Sequence, residues 1–193
     1  MSLRPSPYCA AASWIINSEL PWQRVLTFGP AAFDSHARLR FIPDPTRAGQ
    51  DETDGAVATG GLSETEQLNI VVSTLLSYTT TPQELFFAFW DGHGFAMPGA
   101  RFETPHREFF LYHGSVSENG SWDIATEDQA PGQPWLPEPA YIWPADRSWC
   151  ISNDVDPHWA GIGAGAEAIE ALCADERLDV IPADPAQPQP FYT

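Results

Sequence analysis

The hydrophobic pattern of this chain changes period from segment to segment, and each change marks an element. Ala37, Leu39 and Phe41 alternate with Arg38 and Arg40, a period of two that predicts a half-buried strand. Ser63 with Glu66 three residues on opens a capping box. Leu68, Val71, Val72, Leu75 and Leu76 then recur at helical spacing, giving one apolar stripe. Its end falls near Tyr78, because Pro82 disfavours helix in Thr81. The run Leu85–Trp90 is apolar at both alternating sets of positions and predicts a central strand covered on both faces. Asp91-Gly92 follows as a tight hairpin signal. Residues 109–112 form a second aromatic strand, stopped by His113-Gly114.

Weaker patterns complete the chain. Residues 1–21 read as an irregular, Pro-containing lead-in with a short helical turn over 10–16. Trp22–Phe28 suits a strand closed by Gly29-Pro30. Residues 44–61 form a polar loop, and 115–140 a long excursion rich in Ser, Asn, Gly, Pro and acids. Tyr141–Pro144 is a short strand, and 148–152 pairs as a hairpin with 159–163. Gly165 precedes a short helix with Ala166, Ile169, Leu172 and Cys173 on one side. Leu178, Val180 and Ile181 mark an edge strand, followed by a Pro-rich tail over 182–193. Strands come in adjacent groups rather than alternating with helices, which predicts a single α+β domain: a mainly antiparallel sheet with two or three helices packed on it.

At 193 residues and 21.3 kDa, folding takes about 31,000 Å² of chain surface down to about 9,000 Å². That is enough for a core without disulfides or metals. Hydrophobic residues at 43% and eight Trp exclude a disordered acidic tail. Cys9, Cys150 and Cys173 are too few and too scattered for a disulfide framework or a thiolate zinc site. No signal peptide or spanning run is seen, so the expected compartment is the cytoplasm. The net charge of −17 excludes direct binding to nucleic acid and disfavours an anionic membrane. All basic residues are Arg. Residues 1–47 carry five Arg against three acids, and residues 48–193 four Arg against 23, so the excess of acid lies beyond the first strands.

Two segments offer chemistry. In Asp154-Val155-Asp156-Pro157-His158 the alternate residues of an extended chain share a face. Asp154, Asp156 and His158 could therefore converge on a divalent cation, with Asp91 and His93 of Trp90-Asp91-Gly92-His93-Gly94 as further members. Against this, Asn, Asp and Pro at these places are turn formers, and Asp-Gly is a hairpin turn. Neither a phosphatase D-x-D nor a helix–loop–helix calcium loop fits, and no metal or cofactor is assigned. Cys150, between Trp149 and Ile151, reads as an inert buried thiol rather than a nucleophile for His158. Gly161-x-Gly163-x-Gly165 reads as small-residue packing, since no Lys follows. Trp90, Trp143, Trp149 and Trp159 are expected in the core. Trp122 and Trp135 of the excursion are expected at the surface as partner anchors.

Trp143-Pro144-Ala145-Asp146-Arg147-Ser148-Trp149-Cys150, the following Asp154-Val155-Asp156 and Gly161-Ile162-Gly163 resemble a family of bacterial proteins common in high-GC actinobacteria. Phe41-Ile42-Pro43-Asp44-Pro45 and Trp90-Asp91-Gly92 fit the same resemblance, as does the absence of Lys. It brings no activity with it. More remotely, the helix, the aromatic strands, the Trp-Asp-Gly turn and the late strand–helix–strand unit resemble the SUKH group of toxin-immunity and regulatory proteins. That group carries an early Leu-Pro followed by a helix, whereas Leu20-Pro21 here leads into an expected strand.

The leading expectation is a non-enzymatic, acidic protein-binding module of immunity or regulatory type, whose partner is another protein, favoured to be basic. Glu118, Trp122, Asp123, Glu127, Asp128 and Trp135 would carry recognition. The alternative is a metal-dependent, hydrolase-like enzyme built on Asp154, Asp156 and His158.

Overall fold

The computed structural model describes residues 2–31, 33–55, 61–94, 97–124 and 137–192. In chain order its elements are β1 (Arg4–Pro5), α1 (Ser13–Ile16), α2 (Trp22–Phe28), β2 (Ser35–Arg40), α3 (Glu52–Gly55), α4 (Glu64–Leu75), β3 (Leu85–Trp90), β4 (Arg101–Thr104), β5 (Arg107–Gly114), β6 (Tyr141–Pro144), β7 (Cys150–Ser152), β8 (Trp159–Ala164), α5 (Ala166–Cys173) and β9 (Val180–Pro182). The described strands form one nine-stranded sheet in the order β1-β5-β3-β6-β7-β8-β2-β9, with β4 also on β5. Every pair of named strands is antiparallel. The α+β class with a mainly antiparallel sheet is thus the fold of this chain.

Both faces of the sheet are covered, which explains the apolar run of β3. Phe87 and Phe89 point to the face where Leu68, Val71, Val72 and Leu75 of α4 and Ile169 and Leu172 of α5 pack. Ala88 points to the other face, with Ile15, Val25, Leu26, Tyr141 and Trp143. The expected capping box is present: the Glu66 N–H donates to Ser63 Oγ and the Ser63 N–H to Glu66 Oε2. In α5 the buried side is Ala168, Ile169 and Leu172, while Cys173 is exposed.

Three expectations are corrected. Trp22–Phe28 is a helix, not a strand. Its aromatic and β-branched residues favour extended chain, but Val25, Leu26 and Phe28 fall on one helical face and dock on the sheet. Pro21 lies at its N-cap and Gly29, at φ 86°, ends it. Asp91-Gly92 does not close a hairpin but forms a 3-10 turn. The hairpin lies at Pro105-His106, between β5 and the unforeseen β4. The polar loop also holds the short helix α3.

α2 lies close on β8 because that strand offers it glycine. A Cβ on Gly161 would come within 1.8 Å of the Thr27 carbonyl oxygen, and one on Gly163 within 2.2 Å of the Phe33 ring. Gly161 therefore admits α2 close on the sheet, and Gly163 admits the Phe33 ring from the loop after it.

The motif Trp143 to Cys150 is structural. Trp143 and Trp149 are buried. Asp146 accepts from the Thr79 hydroxyl at 2.8 Å, from the Thr80 N–H at 2.6 Å and hydroxyl at 2.7 Å, and from the Ser148 N–H at 3.1 Å. Burial alone would raise this carboxyl, but the bonds from Thr80 and Ser148 outweigh it and hold it well below the usual range. It ties the turn after β6 to the loop after α4.

At the other end of the sheet the alternation of β2 points Arg38 and Arg40 to the α2 face, where Arg38 is buried. Arg38 forks onto Asp44 through two bonds of 2.7 and 2.9 Å, and Arg40 bridges Asp44 at 3.0 Å to Asp179 at 2.7 Å. His158 Nε2 lies 3.0 Å from Asp44 Oδ1. The C-terminal tail closes over this group. The Tyr192 hydroxyl donates to the Pro43 carbonyl at 2.6 Å, its ring meets His158 edge-on at 4.8 Å, and the Trp159 N–H reaches the Pro190 carbonyl at 3.2 Å. Burial alone would raise the Asp44 carboxyl. The Arg38 and His158 hydrogen bonds, with the Arg38 charge and the Arg40 bond, hold it well below the usual range.

Two predictions follow from these contacts. Gly161→Ala should cost about 1–3 kcal/mol in urea unfolding by forcing α2 off the sheet. Gly61→Ala, whose Cβ meets nothing within 4 Å, should stay within about 0.5 kcal/mol. Asp44→Asn should cost about 3 kcal/mol at pH 7, because it strands a buried guanidinium. The folded Asp44 carboxyl is depressed, so its contribution is complete above the unfolded value of about 3.9 and is lost as pH falls below it. The gap between wild type and Asp44→Asn should therefore narrow on acidification below about pH 4. Equal stabilities at pH 7 would contradict this.

Candidate functional site

The end of β3 and the β4–β5 hairpin build an open acidic cup of about 420 Å³, lined by Trp90, Asp91, Glu103, His106, Arg107 and Glu108 among others. Trp90 is half-buried and its indole packs against Gly92, where a Cβ would stand 2.0 Å from the ring. Only glycine fits at that place in the Trp-Asp-Gly turn. The Arg107 guanidinium lies over the indole ring, 4.9 Å from its centroid. Pro105 and His106 make the two-residue hairpin turn. His106 holds φ 71°, a value usual for Gly or Asn, and its ring meets that of Trp22 on α2 at 5.3 Å.

Arg107 of the cup and the nearby Arg101 each hold two carboxylates. Arg107 reaches Asp154 at 3.4 Å and Asp156 at 2.8 Å. Arg101 reaches Asp91 at 3.0 Å and Glu108 at 3.6 Å. Glu103 is left over, and the register sets it directly across from Glu108 on the exposed face. Like charges directly opposite one another destabilise a strand pair. The hydrogen bond with Glu103 pushes the Glu108 carboxyl up. Burial and the Glu103 and Asp91 charges add to this, against Arg101.

The residues of the metal-site alternative are dispersed over this frame. Asp154 and Asp156 do converge, but on Arg107, whose guanidinium bridges them. His158 is buried and turned to Asp44. Asp91 faces Arg101, and the His93 ring lies 5.4 Å from that of Trp90, where burial, opposed by the Glu138 charge, lowers its pKa. Among the described residues, no group of three or more His, Cys, Asp or Glu is placed to hold a metal ion. Cys150 is fully buried, and burial pushes its thiol up to about 12 against a weak opposing bond from Ser152.

The expected recognition residues are divided. Glu118 and Asp123 are exposed. Trp122, expected at the surface, is half-buried, with its ring 5.5 Å from that of Phe87 and packed on the main core. The segment is held there because Ser73 of α4 donates to the Glu118 carbonyl at 2.8 Å and Leu3 to the Asp123 carbonyl at 2.6 Å. Glu127, Asp128 and Trp135 lie outside the described residues. Sequence reasoning missed Glu103, Arg107 and Glu108. The one available signal was Pro105-His106 between two short runs of alternating polarity.

Removing the like-charge pair should stabilise the free protein. Glu108 titrates higher in the folded than in the unfolded chain. Its contribution is therefore present below the ordinary Glu value of about 4.3 and lost as pH rises through the folded value. At pH 7 and low salt, Glu103→Gln should raise the thermal midpoint. The gain should vanish near 1 M salt, where the screening length falls to about 3 Å. A variant that melts no higher than wild type at low salt would rule out the repulsion.

Among the described residues no helix is long and apolar enough to cross a membrane. No family model, no curated protein and no solved structure matches this chain.

Proposed function

We propose that this protein is a non-enzymatic binding module that engages a basic protein through the acidic cup at Trp90. The observation that carries the reading is the exposed, cross-strand Glu103–Glu108 pair beside a half-buried indole. Such a pair costs stability in the free chain, and a cationic side chain placed between the two carboxylates converts that cost into binding energy. Trp90 supplies half-buried aromatic surface of the kind that anchors interfaces. The arginines of the neighbourhood are engaged, Arg107 with Asp154 and Asp156 and Arg101 with Asp91 and, at 3.6 Å, with Glu108, so within the pair it is Glu103 that has no arginine among the described residues.

The immunity or regulatory type rests on the resemblance to the SUKH group. One feature of the fold supports it: the segment after Leu20-Pro21 is a helix, as that resemblance implies.

The test uses a nona-arginine peptide as probe in isothermal titration at about 50 mM salt, where surface charge is weakly screened. The double variant Glu103→Gln with Glu108→Gln should weaken binding at least about fivefold, and Glu118→Gln with Asp123→Asn by less than about twofold. Binding should also fall as salt rises. If the second pair dominates, recognition lies on the excursion instead. If both pairs weaken binding equally, the peptide senses only net charge. Either result overturns the cup.

A further inference from the structure

A cavity of about 830 Å³ lies between α2 and the C-terminal tail. One wall is Thr27, Phe28 and Trp159, with the two rings 5.3 Å apart, and the other is tail residues 185–192. That stretch of tail, Pro-Ala-Gln-Pro-Gln-Pro-Phe-Tyr, carries no charge in a chain of net charge −17. Volume and lining suit a small molecule with an apolar body.

Arg24 is the cation of this cavity. Five other arginines, at 38, 40, 101, 107 and 177, hold carboxylates. The guanidinium of Arg24 makes no hydrogen bond or ion pair among the described residues, and its Nε is buried without a partner. The carboxylate on the wall, Asp156, is engaged by Arg107 at 2.8 Å. Burial, with the Arg24 charge second and Asp184 opposing, lowers the pKa of the nearby His36, which thus adds no second cation at neutral pH. An unpaired guanidinium at the edge of an apolar cavity is complementary to a carboxylate on an apolar body.

We infer that the cavity between α2 and the C-terminal tail binds a small amphipathic carboxylate, with Arg24 taking the carboxylate and Phe28, Trp159 and the prolines of the tail enclosing the body. The Trp159 N–H is already given to the Pro190 carbonyl, so the indole offers its face and not a donor. The tail, held down by Tyr192 on Pro43, serves as the lid.

The test compares naphthalene-2-carboxylate with the isosteric neutral naphthalene-2-carboxamide by isothermal titration on the full chain. The carboxylate should bind at least about tenfold tighter than the amide. Arg24→Gln should remove that preference while leaving amide binding unchanged, and Arg24→Lys should restore part of it. Far-UV circular dichroism checks that both variants keep the fold. No carboxylate binding at millimolar concentration, an amide that binds as tightly, or an undiminished preference in Arg24→Gln would each overturn the inference.

Discussion

The fork between Arg38 and Asp44 is the contact on which the far end of the sheet depends. A sheet covered on both faces needs a lid on each, and α2 is only seven residues long. Beyond its reach, the α2 face of β2 carries Arg38 and Arg40, which cannot be buried without counter-charge. Asp44 supplies it from the loop directly after β2, and in doing so it fixes the path of Pro43. That carbonyl receives Tyr192, and Asp44 also turns His158 toward the Tyr192 ring. One carboxylate therefore joins β2, the start of β8, β9 through Arg40 and Asp179, and the tail. The same ion pair shapes one wall of the apolar cavity, since the tail is held there by Tyr192 on the Pro43 carbonyl and by Trp159 on the Pro190 carbonyl.

How much of this could be read from the residues follows from where each signal is generated. α4 was legible because the capping box and the apolar stripe are local, and both act in the same direction. β3 was legible because burial on two faces leaves a run no loop would carry. Trp22–Phe28 misled because four of its seven residues, Trp22, Val25, Thr27 and Phe28, are aromatic or β-branched, and what selects the helix is the glycine surface of β8 about 135 residues downstream. A contact at that sequence distance leaves no trace in the periodicity of the segment that obeys it. The hairpin was misplaced for a related reason. Asp-Gly is a good turn anywhere, and here Gly92 is needed because the Trp90 indole lies on it.

The candidate chemistry was legible in its residues and not in its geometry. Asp154 and Asp156 do come together, but on a bent segment rather than an extended one, and the partner that gathers them is a guanidinium from β5. His158, two residues on, belongs to a different cluster because Pro157 and the start of β8 turn it toward Asp44. The excursion shows the converse. Trp122 has the composition of a surface anchor, yet Gly120, at φ 79°, lets the backbone approach so near α4 that a Cβ there would lie 1.9 Å from the Asn69 carbonyl. The indole is drawn onto Phe87, and recognition through it would compete with the core.

The absence of Lys is part of the same physics. Arg40, Arg101 and Arg107 each span two carboxylates, and Arg38 takes both oxygens of one. A planar fork with five donors can do this, whereas an ammonium is a compact point charge that would satisfy one oxygen and demand more water. With nine Arg and Lys side chains against 26 acids, a chain that made single pairs would leave more of its acids without partners. Using Arg40, Arg101 and Arg107 twice each partners more carboxylates than single pairs would and leaves the remainder, such as Glu103 and Glu118, facing water. Net charge is thereby displaced from the core to the surface, where it repels its own kind and attracts opposite charge. Arg24 departs from that pattern. It holds no carboxylate at a place where the chain has gathered prolines and aromatic rings around it, which is where a carboxylate from outside the chain would be needed.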